Sequence, residues 1–264
     1  MTHSITIVIA SWNRKGDLLE CLASLREMPP PPPRIIVVNN ASEDGTREAV
    51  AAGFPEVTVL DSPVNRGFAG GNNLGIRKAR EEGAEYICLL NNDTVVRPDF
   101  LTSLTRAAEK RPRAAILGAR VVYYQQPELI WSDGIEVGRW SGQIRARHYR
   151  RSEKGITDKV VSVDAVSGAA LLLRSRVLDE IGLFDERYFL CFEDVDLCLR
   201  ARDLGYSVLT VPSSRVLHKV SGSMGGEGSP TVVYYATRNH LLALNRRLPV
   251  PAAWRPIRNC SILG

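Results

Sequence analysis

Residues 5–14 read ITIVIASWNR, and the fold follows from them. ITIVIA (5–10) is a nearly continuous apolar run rich in β-branched residues. That is the pattern of a strand covered on both faces, as in a parallel sheet flanked by helices. The polar SWNR places hydrogen-bonding groups where the strand stops. Working outward, Leu18, Leu19, Leu22 and Leu25 recur at helical spacing. The helix they predict must stop at Met28, because prolines fill 29–33 and proline has neither the N–H nor the room to continue. The cycle then repeats. RIIVV (34–38) predicts a second strand, followed by the turn NNASEDGT and a short helix to Ala52. VTVL (57–60) predicts a third strand, and the glycine-rich loop NRGFAGGNN leads into a helix over 73–82. YICLL (86–90) predicts a fourth strand ending at NND. Pro98 sits at the start of a helix to about Arg111, and AAILGA (114–119) is a fifth strand.

Strands alternating with helices predict a doubly wound, mainly parallel α/β sheet. Ligands in such sheets bind beyond the carboxyl ends of the strands. Three of those ends read SWNR, NNAS and NND, which predicts a ligand site on that edge. After Tyr124 the pattern changes. Residues 125–158 show no clear period and carry Arg139, Arg145, Arg147, Arg150 and Arg151. Order resumes with strands at 160–163 and 170–173, helices over 175–181 and 193–205, and a strand at 206–211. HKVSGSMGGEGS reads as a flexible loop, 231–248 as a last helix, and the Pro-rich end as poorly ordered.

The chain has 264 residues, 44% hydrophobic and 24% charged, so disorder, collagen and coiled coil are excluded. No apolar run approaches the roughly 20 residues that span a bilayer. The N-terminus lacks the basic and apolar regions of a signal peptide, which predicts a cytoplasmic protein. Five cysteines, at 21, 88, 191, 198 and 260, form no CxxC and read as small buried hydrophobes. Net charge is 34 − 29 = +5, and all of the excess lies beyond Glu227, in Arg238, Arg246, Arg247, Arg255 and Arg258. A neutral body with a basic tail argues against a nucleic-acid surface and suits an anionic membrane or a phosphorylated partner.

Four groups carry candidate chemistry. The loop over 67–75 has four glycines but matches neither GxGxxG nor GxxxxGK[ST]. It is either a tight turn before a helix or a place where backbone approaches a nucleotide closely. Asp93, just past a buried strand, suits a divalent cation holding phosphate oxygens or, equally, an Asx turn. Glu193, Asp194 and Asp196 open a predicted helix, where acids complement the dipole. The first two also follow the apolar run YFLCF, and apolar walls that raise a carboxyl pKa suit a general base. His218 is either structural or, if it reaches Asp93, a metal ligand.

Six collinear segments, VIASWNR, IIVVNNASEDGT, NRGFAGGNNLGI, LLNNDTVVRPDF, VSGAALLLRSRVLDEIGLFDERYFLCFEDVDLCLRARDLGY and VPSSRVLHKVSGS, span about residues 8–223. Together they resemble the family 2 glycosyltransferases of GT-A fold, especially the bacterial rhamnosyltransferase-like members. The resemblance implies a Rossmann-like central sheet with a C-terminal acceptor-side extension, and inverting transfer of a sugar from a nucleoside diphosphate donor. It implies a nucleotide-sugar half at 1–124, an acceptor and catalytic half at 125–230, and a basic helix and tail at 231–264. Donor contacts are expected at Ser11, Trp12, Asn13, Arg14, Asn39, Asn40, Gly67, Phe68, Asn72, Asn73, Asn91 and Asn92. Asp93 and His218 are expected to hold Mn²⁺ or Mg²⁺, with Asp194 the catalytic base beside Glu193. Asn91 and Asn39 stand where many members carry aspartate. Both changes are common in the rhamnosyltransferase-like subset and favour dTDP-L-rhamnose over a UDP-sugar, with a cell-surface glycan on a lipid carrier as acceptor. A nucleotidyltransferase would want a glycine-rich basic signature after the first strand, which SWNRKGDLLE lacks. A non-catalytic sugar-nucleotide binder would have lost Asp93 or Asp194.

The segment 231–258 joins Val232, Val233, Tyr234, Tyr235, Leu241, Leu242, Leu244 and Trp254 to five arginines and no acid. It reads as an interfacial membrane segment. The alternative is a helix packed on the catalytic domain, with Tyr234, Tyr235, Arg238 and Asn239 closing the active-site face.

Overall fold

A computed structural model describes residues 3–138, 141–220 and 228–247. In chain order the first part contains β1 (Ile5–Ser11), α1 (Lys15–Arg26), β2 (Arg34–Asn40), α2 (Thr46–Gly53), β3 (Thr58–Ser62), α3 (Gly67–Glu81) and β4 (Tyr86–Leu90). β5 (Thr94–Val96), α4 (Phe100–Glu109) and β6 (Ala114–Tyr123) follow. The second part holds β7 (Ile130–Ser132), β8 (Ile135–Val137), β9 (Ile144–Ala146), β10 (Val161–Ser162) and β11 (Ala170–Arg174). It ends with α5 (Leu178–Ile181), α6 (Glu193–Asp203), β12 (Ser207–His218) and α7 (Pro230–Arg247).

One sheet runs in the order β10-β12-β6-β11-β4-β1-β2-β3, with β5 on β12 and β7 on β6. β4, β1, β2 and β3 pair in parallel, as do β6 and β12. β11 lies antiparallel to both β4 and β6, so it separates the two parallel groups while keeping them in the same direction. The result is a mixed α/β sheet in which six strands share one direction and β5, β7, β10 and β11 run against them, with β11 inserted where the alternation does not reveal it.

The apolar runs bury both faces because successive side chains alternate. Ile7, Ile9, Val37 and Cys88 join a core under α1 and α4. Val8, Ile36, Val38, Ile87 and Leu89 join the opposite core under α3, α5 and α6.

Several expected bounds change. α3 begins at Gly67, six residues before the helix expected over 73–82, so the glycine-rich loop is its first two turns. The glycines are there because the helix lies tight on the sheet. A Cβ at Gly75 would stand 2.2 Å from Val8 Cγ1, and one at Gly71 3.1 Å from the Cβ of Ala10. β6 and β12 run on to Tyr123 and His218, stabilised by pairing along most of their lengths. Residues 175–181 are a 3₁₀ turn, Ser175–Val177, leading into α5. The stretch without clear period is ordered by long-range contacts: β7 joins the sheet, and β8 and β9 form a hairpin. The buried Asp133 accepts from Arg120 Nη2 at 3.2 Å and from Thr210 Oγ1 at 3.2 Å, which ties this stretch down. Cys21, Cys88 and Cys198 are buried thiols, and burial pushes Cys21 up to about 12. Cys260 and the Pro-rich end lie outside the described residues, as does most of the loop after Val220.

Candidate active site

The carboxyl ends of β1, β2 and β4 meet on one edge, with Ser11 in register with Asn39. Ser11 Oγ accepts from Asn92 Nδ2 at 3.0 Å, which ties β1 to the turn after β4. Asn13 and Arg14 adopt left-handed backbone, with φ of 55° and 62°, and turn the chain into α1. Asn13 accepts from Glu43 N at 2.9 Å, joining that turn to the one after β2. Arg14 Nε donates to Asp17 at 2.8 Å.

Below this edge lies a cavity of about 270 Å³. Trp12, Asn40, Gly67, Phe68, Asn91, Asn92, Asp93 and His218 line it, so eight of the expected residues border one cavity. Asn40 is held by Asn65 Oδ1 and the Gly67 carbonyl, each at 3.0 Å from its Nδ2. Ser11, Asn13, Arg14 and Asn39 are not among the lining residues, and of these Ser11 and Asn39 are buried. Asn72 and Asn73 are turned elsewhere. Asn73 accepts from Phe184 N at 3.0 Å and donates to Phe184 O at 2.9 Å and to Glu186 at 3.0 Å, which links α3 to the segment before α6.

Asp93 and His218 come together although 125 residues separate them. β5 pairs antiparallel with β12 so that His218 faces Thr94. His218 Nε2 then lies 3.0 Å from Asp93 Oδ1. Asp93 is 6% exposed. Burial alone would push its carboxyl up, but the hydrogen bond and charge of His218, backbone N–H and Arg14 outweigh that, and its pKa lies below the ordinary value. Trp131 meets the His218 ring edge-on, centroids 4.8 Å apart. His218 Nδ1 is buried without a hydrogen-bond partner.

The cavity is also bordered by a strap of the chain, residues 188–192, that leads into α6. Phe189, Leu190 and Cys191 line the cavity. The Phe189 carbonyl accepts from Phe68 N at 2.7 Å and Ala69 N at 3.3 Å. The N–H groups opening α3 are thus partly used within the protein. Gly67 has φ 66°, and a Cβ there would stand 2.3 Å from Phe189 O. The glycine run therefore serves close packing on the sheet and the strap.

Asp194 and Glu193 sit in the first turn of α6, just past the strap. Asp194 Oδ2 accepts from Gly168 N at 2.8 Å, and Oδ1 from Val195 N at 2.7 Å. A Cβ at Gly168 would touch both the Phe68 ring and Asp194 Oδ2, so the carboxylate lies next to a cavity wall. Burial raises its pKa against the pull of these backbone donors. Glu193 is 4% exposed, its Oε2 has no hydrogen-bond partner, and burial, reinforced by the charge of Asp194, raises its pKa well above the ordinary value. Asp196 is different: it pairs with Arg200 at 2.8 Å.

The family model for glycosyl transferase family 2 matches residues 6–181, which carry β1 to β11. The chain belongs to that family. Of the curated relatives, an N-acetylglucosaminyl-diphospho-decaprenol L-rhamnosyltransferase of Mycobacterium tuberculosis is 27% identical over 270 residues, 93% of this chain and 86% of the relative. A dTDP-rhamnosyl transferase, RfbF, of Shigella flexneri is 25% identical over 253 residues, 93% of this chain and 81% of the relative. In fold the chain is similar to a mannosyltransferase of Pyrobaculum calidifontis solved with GDP-Man and Mn²⁺. The TM-score is 0.68 at 18% identity, over 98% of this chain and 68% of that one. The protein is a glycosyltransferase.

Within this family 2 enzyme the cavity residues missed by sequence reading are Ala10, Asn65, Trp131, Phe189, Leu190, Cys191, Val220 and Val232, and beside them Asp61. Asp61 faces Asn39 in register and accepts its amide at 2.9 Å. A carboxylate therefore stands beside Asn39, supplied by the neighbouring strand. Its signal was visible: VTVLDS continues the third strand by two residues. Trp131 had no signal beyond a tryptophan in an aperiodic stretch. One face of α7 packs on the strap. Tyr235 stacks on Phe189 at 5.0 Å and His240 on Phe192 at 5.3 Å, while Arg246 pairs with Asp185 at 2.9 Å. Val233 and Tyr234 point outward, 52% and 61% exposed. Trp254, Arg255 and Arg258 lie outside the described residues.

Proposed function

We propose that this glycosyltransferase moves L-rhamnose from dTDP-L-rhamnose, with inversion, onto a lipid-linked cell-surface glycan, with Asp93 and His218 holding a divalent cation. The observation that carries the reading is the cavity itself: Asp93 and His218 line it together with the strap that leads into Asp194. The names of the two relatives support rhamnose as the sugar, and the first supports a polyprenyl-linked acceptor.

The residues fit Mn²⁺ or Mg²⁺. A carboxylate kept ionised lies 3.0 Å from an imidazole nitrogen in a buried wall. Among the described residues no three His, Cys, Asp or Glu gather, so the protein offers two ligands and leaves the other positions to diphosphate oxygens and water. When bound, the cation supplies positive charge to the leaving diphosphate. Asp194 takes the proton from the acceptor hydroxyl, and its raised pKa suits a base at neutral pH. Attack from the face opposite the diphosphate inverts the anomeric carbon, and no protein nucleophile is needed. Cys191, the thiol on the cavity wall, is pushed up to about 12, first by burial and then by Glu193 and Asp194, so it serves as protonated apolar lining.

Trp12 and Asn40 are assigned to the nucleoside, with Ser11, Asn13, Arg14 and Asn39 supporting them. Residues 1–124 supply most of the donor side and 125–230 the acceptor side of one GT-A domain. None of the helices among the described residues is long and apolar enough to cross a membrane. Exposed Val233 and Tyr234, with the arginines beyond Arg246, form the basis for peripheral membrane contact.

Thermal stabilisation across dTDP-, UDP- and GDP-sugars, with and without Mn²⁺, tests the donor. The proposal expects dTDP-L-rhamnose to give the largest shift, and EDTA to abolish both the shift and turnover. A larger shift with a UDP-sugar assigns the alternative donor. Binding without any turnover supports a non-catalytic sugar-nucleotide protein.

A further inference from the structure

We propose that Asn239 is a positioning residue for glycosyl transfer. Through its side-chain amide, α7 holds the strap 188–192 that walls the cavity and leads into Asp194. The proposal rests on the reading of Asp194 as the base.

Asn239 is completely buried in the middle of α7. Its Nδ2 lies within hydrogen-bonding distance of three carbonyls of the strap, Tyr188 at 2.7 Å, Leu190 at 2.6 Å and Cys191 at 2.9 Å, which its two N–H groups serve with one bond shared. Its Oδ1 accepts from Arg238 Nη1 at 3.2 Å, which sets the amide's orientation. The remaining carbonyl, that of Phe189, is taken by Phe68 N and Ala69 N at the start of α3. The four carbonyls of 188–191 therefore meet N–H groups of two helices, α7 and α3.

The strap needs this. Phe189, Cys191 and Phe192 have φ of 60°, 67° and 72°, left-handed conformations that side chains with a Cβ disfavour. Such residues persist only where their surroundings over-determine them. Phe192 is also the residue on which α6 begins. Releasing the strap would therefore shift the first turn of α6, which carries Asp194, and move Phe189 to Cys191 on the cavity wall. Asparagine is a weak helix former, and a buried amide is costly unless bonded. The three carbonyls give the physical reason for this residue at this place. None of these bonds reaches Asp93 or His218, so release of the strap acts more on base positioning than on donor binding, even though Phe189, Leu190 and Cys191 border the same cavity.

The test uses the full chain with Asn239→Ala, Asn239→Asp and, as a control on the exposed face of the same helix, Thr237→Ala. The Asp variant keeps the bond to Arg238 but sets a carboxylate oxygen against three carbonyls. Hydrogen exchange of the amides at 188–193, dTDP affinity by calorimetry, and the kcat and KM of transfer with its pH profile are measured on each. Both Asn239 variants should exchange faster over 188–193 and lose far less dTDP affinity than transfer rate. They should lose transfer by on the order of 10²-fold, the effect of an ångström-scale displacement, with a shifted acid limb. Thr237→Ala should match the parent throughout. Should Asn239→Asp fail to fold, Asn239→Ala decides by the same readouts. Parent-like exchange in the strap, or near-parent transfer with the strap opened, overturns the proposal. A parent protein that transfers no sugar removes the underlying reading instead, and in that case the exchange result still reports whether the clamp exists.

Discussion

Asp194→Asn separates proton removal from everything else at the site. The carboxylate is held by two backbone donors, Gly168 N at 2.8 Å and Val195 N at 2.7 Å. An amide can accept from only one of them, so one N–H loses its partner, at a cost of about 1–3 kcal/mol. Working the other way, a neutral amide avoids the burial penalty that raises the pKa of Asp194. The two effects oppose each other, and the melting temperature should move by no more than a few degrees. The rate has no such compensation. A positioned base is worth about 10²–10⁴-fold, or about 2.7–5.4 kcal/mol at 1.36 kcal/mol per tenfold. The assay is single-turnover transfer as a function of pH, with nucleotide affinity measured alongside. The parent rate should fall as pH drops through the raised pKa of Asp194, above the ordinary value of 3.8, because protonation removes the base. In the Asn variant that limb should vanish while nucleotide affinity holds. A variant with near-parent rate, or one that keeps the parent's acid limb, refutes the assignment.

Asp93→Ala and His218→Ala should each weaken Mn²⁺-dependent nucleotide binding in calorimetric titration, Asp93→Ala more severely, and unchanged metal affinity in both would remove the shared site. Glu193→Gln tests linkage. The folded state raises the pKa of Glu193, so the stability this group contributes is complete below its ordinary 4.5 and is lost as pH rises through the raised value. The Gln variant should therefore gain melting temperature relative to the parent at neutral pH and lose that advantage at acid pH; a difference that ignores pH would contradict the burial argument. Gly75→Ala places a Cβ 2.2 Å from Val8 Cγ1 and should cost about 1–3 kcal/mol in denaturant unfolding, whereas Gly16→Ala, which meets nothing within 4 Å, should be neutral or slightly stabilising.

The strands at 5–10, 34–38 and 86–90 are legible because their buried character is local: unbroken β-branched and apolar runs have few other stable uses. The polar ends SWNR, NNAS and NND are legible for the same reason, since hydrogen-bonding groups at a strand terminus must face something other than core. The basic excess after Glu227 is likewise a property of the chain alone. What depended on distant pairing was not legible. Only the antiparallel match of β5 with β12 brings His218 to Asp93 across 125 residues. β11 enters between β4 and β6 because Leu171 to Leu173 find partners on both sides, a choice that no periodicity records. The glycines of 67–75 read as a tight turn before a helix or as a close approach to a nucleotide, and only the tertiary structure shows that they also let α3 lie against Val8 and the Phe189 carbonyl. α7 carries apolar and basic residues that suit a membrane. Tertiary contacts turn Tyr235, Asn239 and His240 inward onto the strap and leave Val233 and Tyr234 outside, because a helix's amphipathic pattern specifies a buried face but not the surface that buries it.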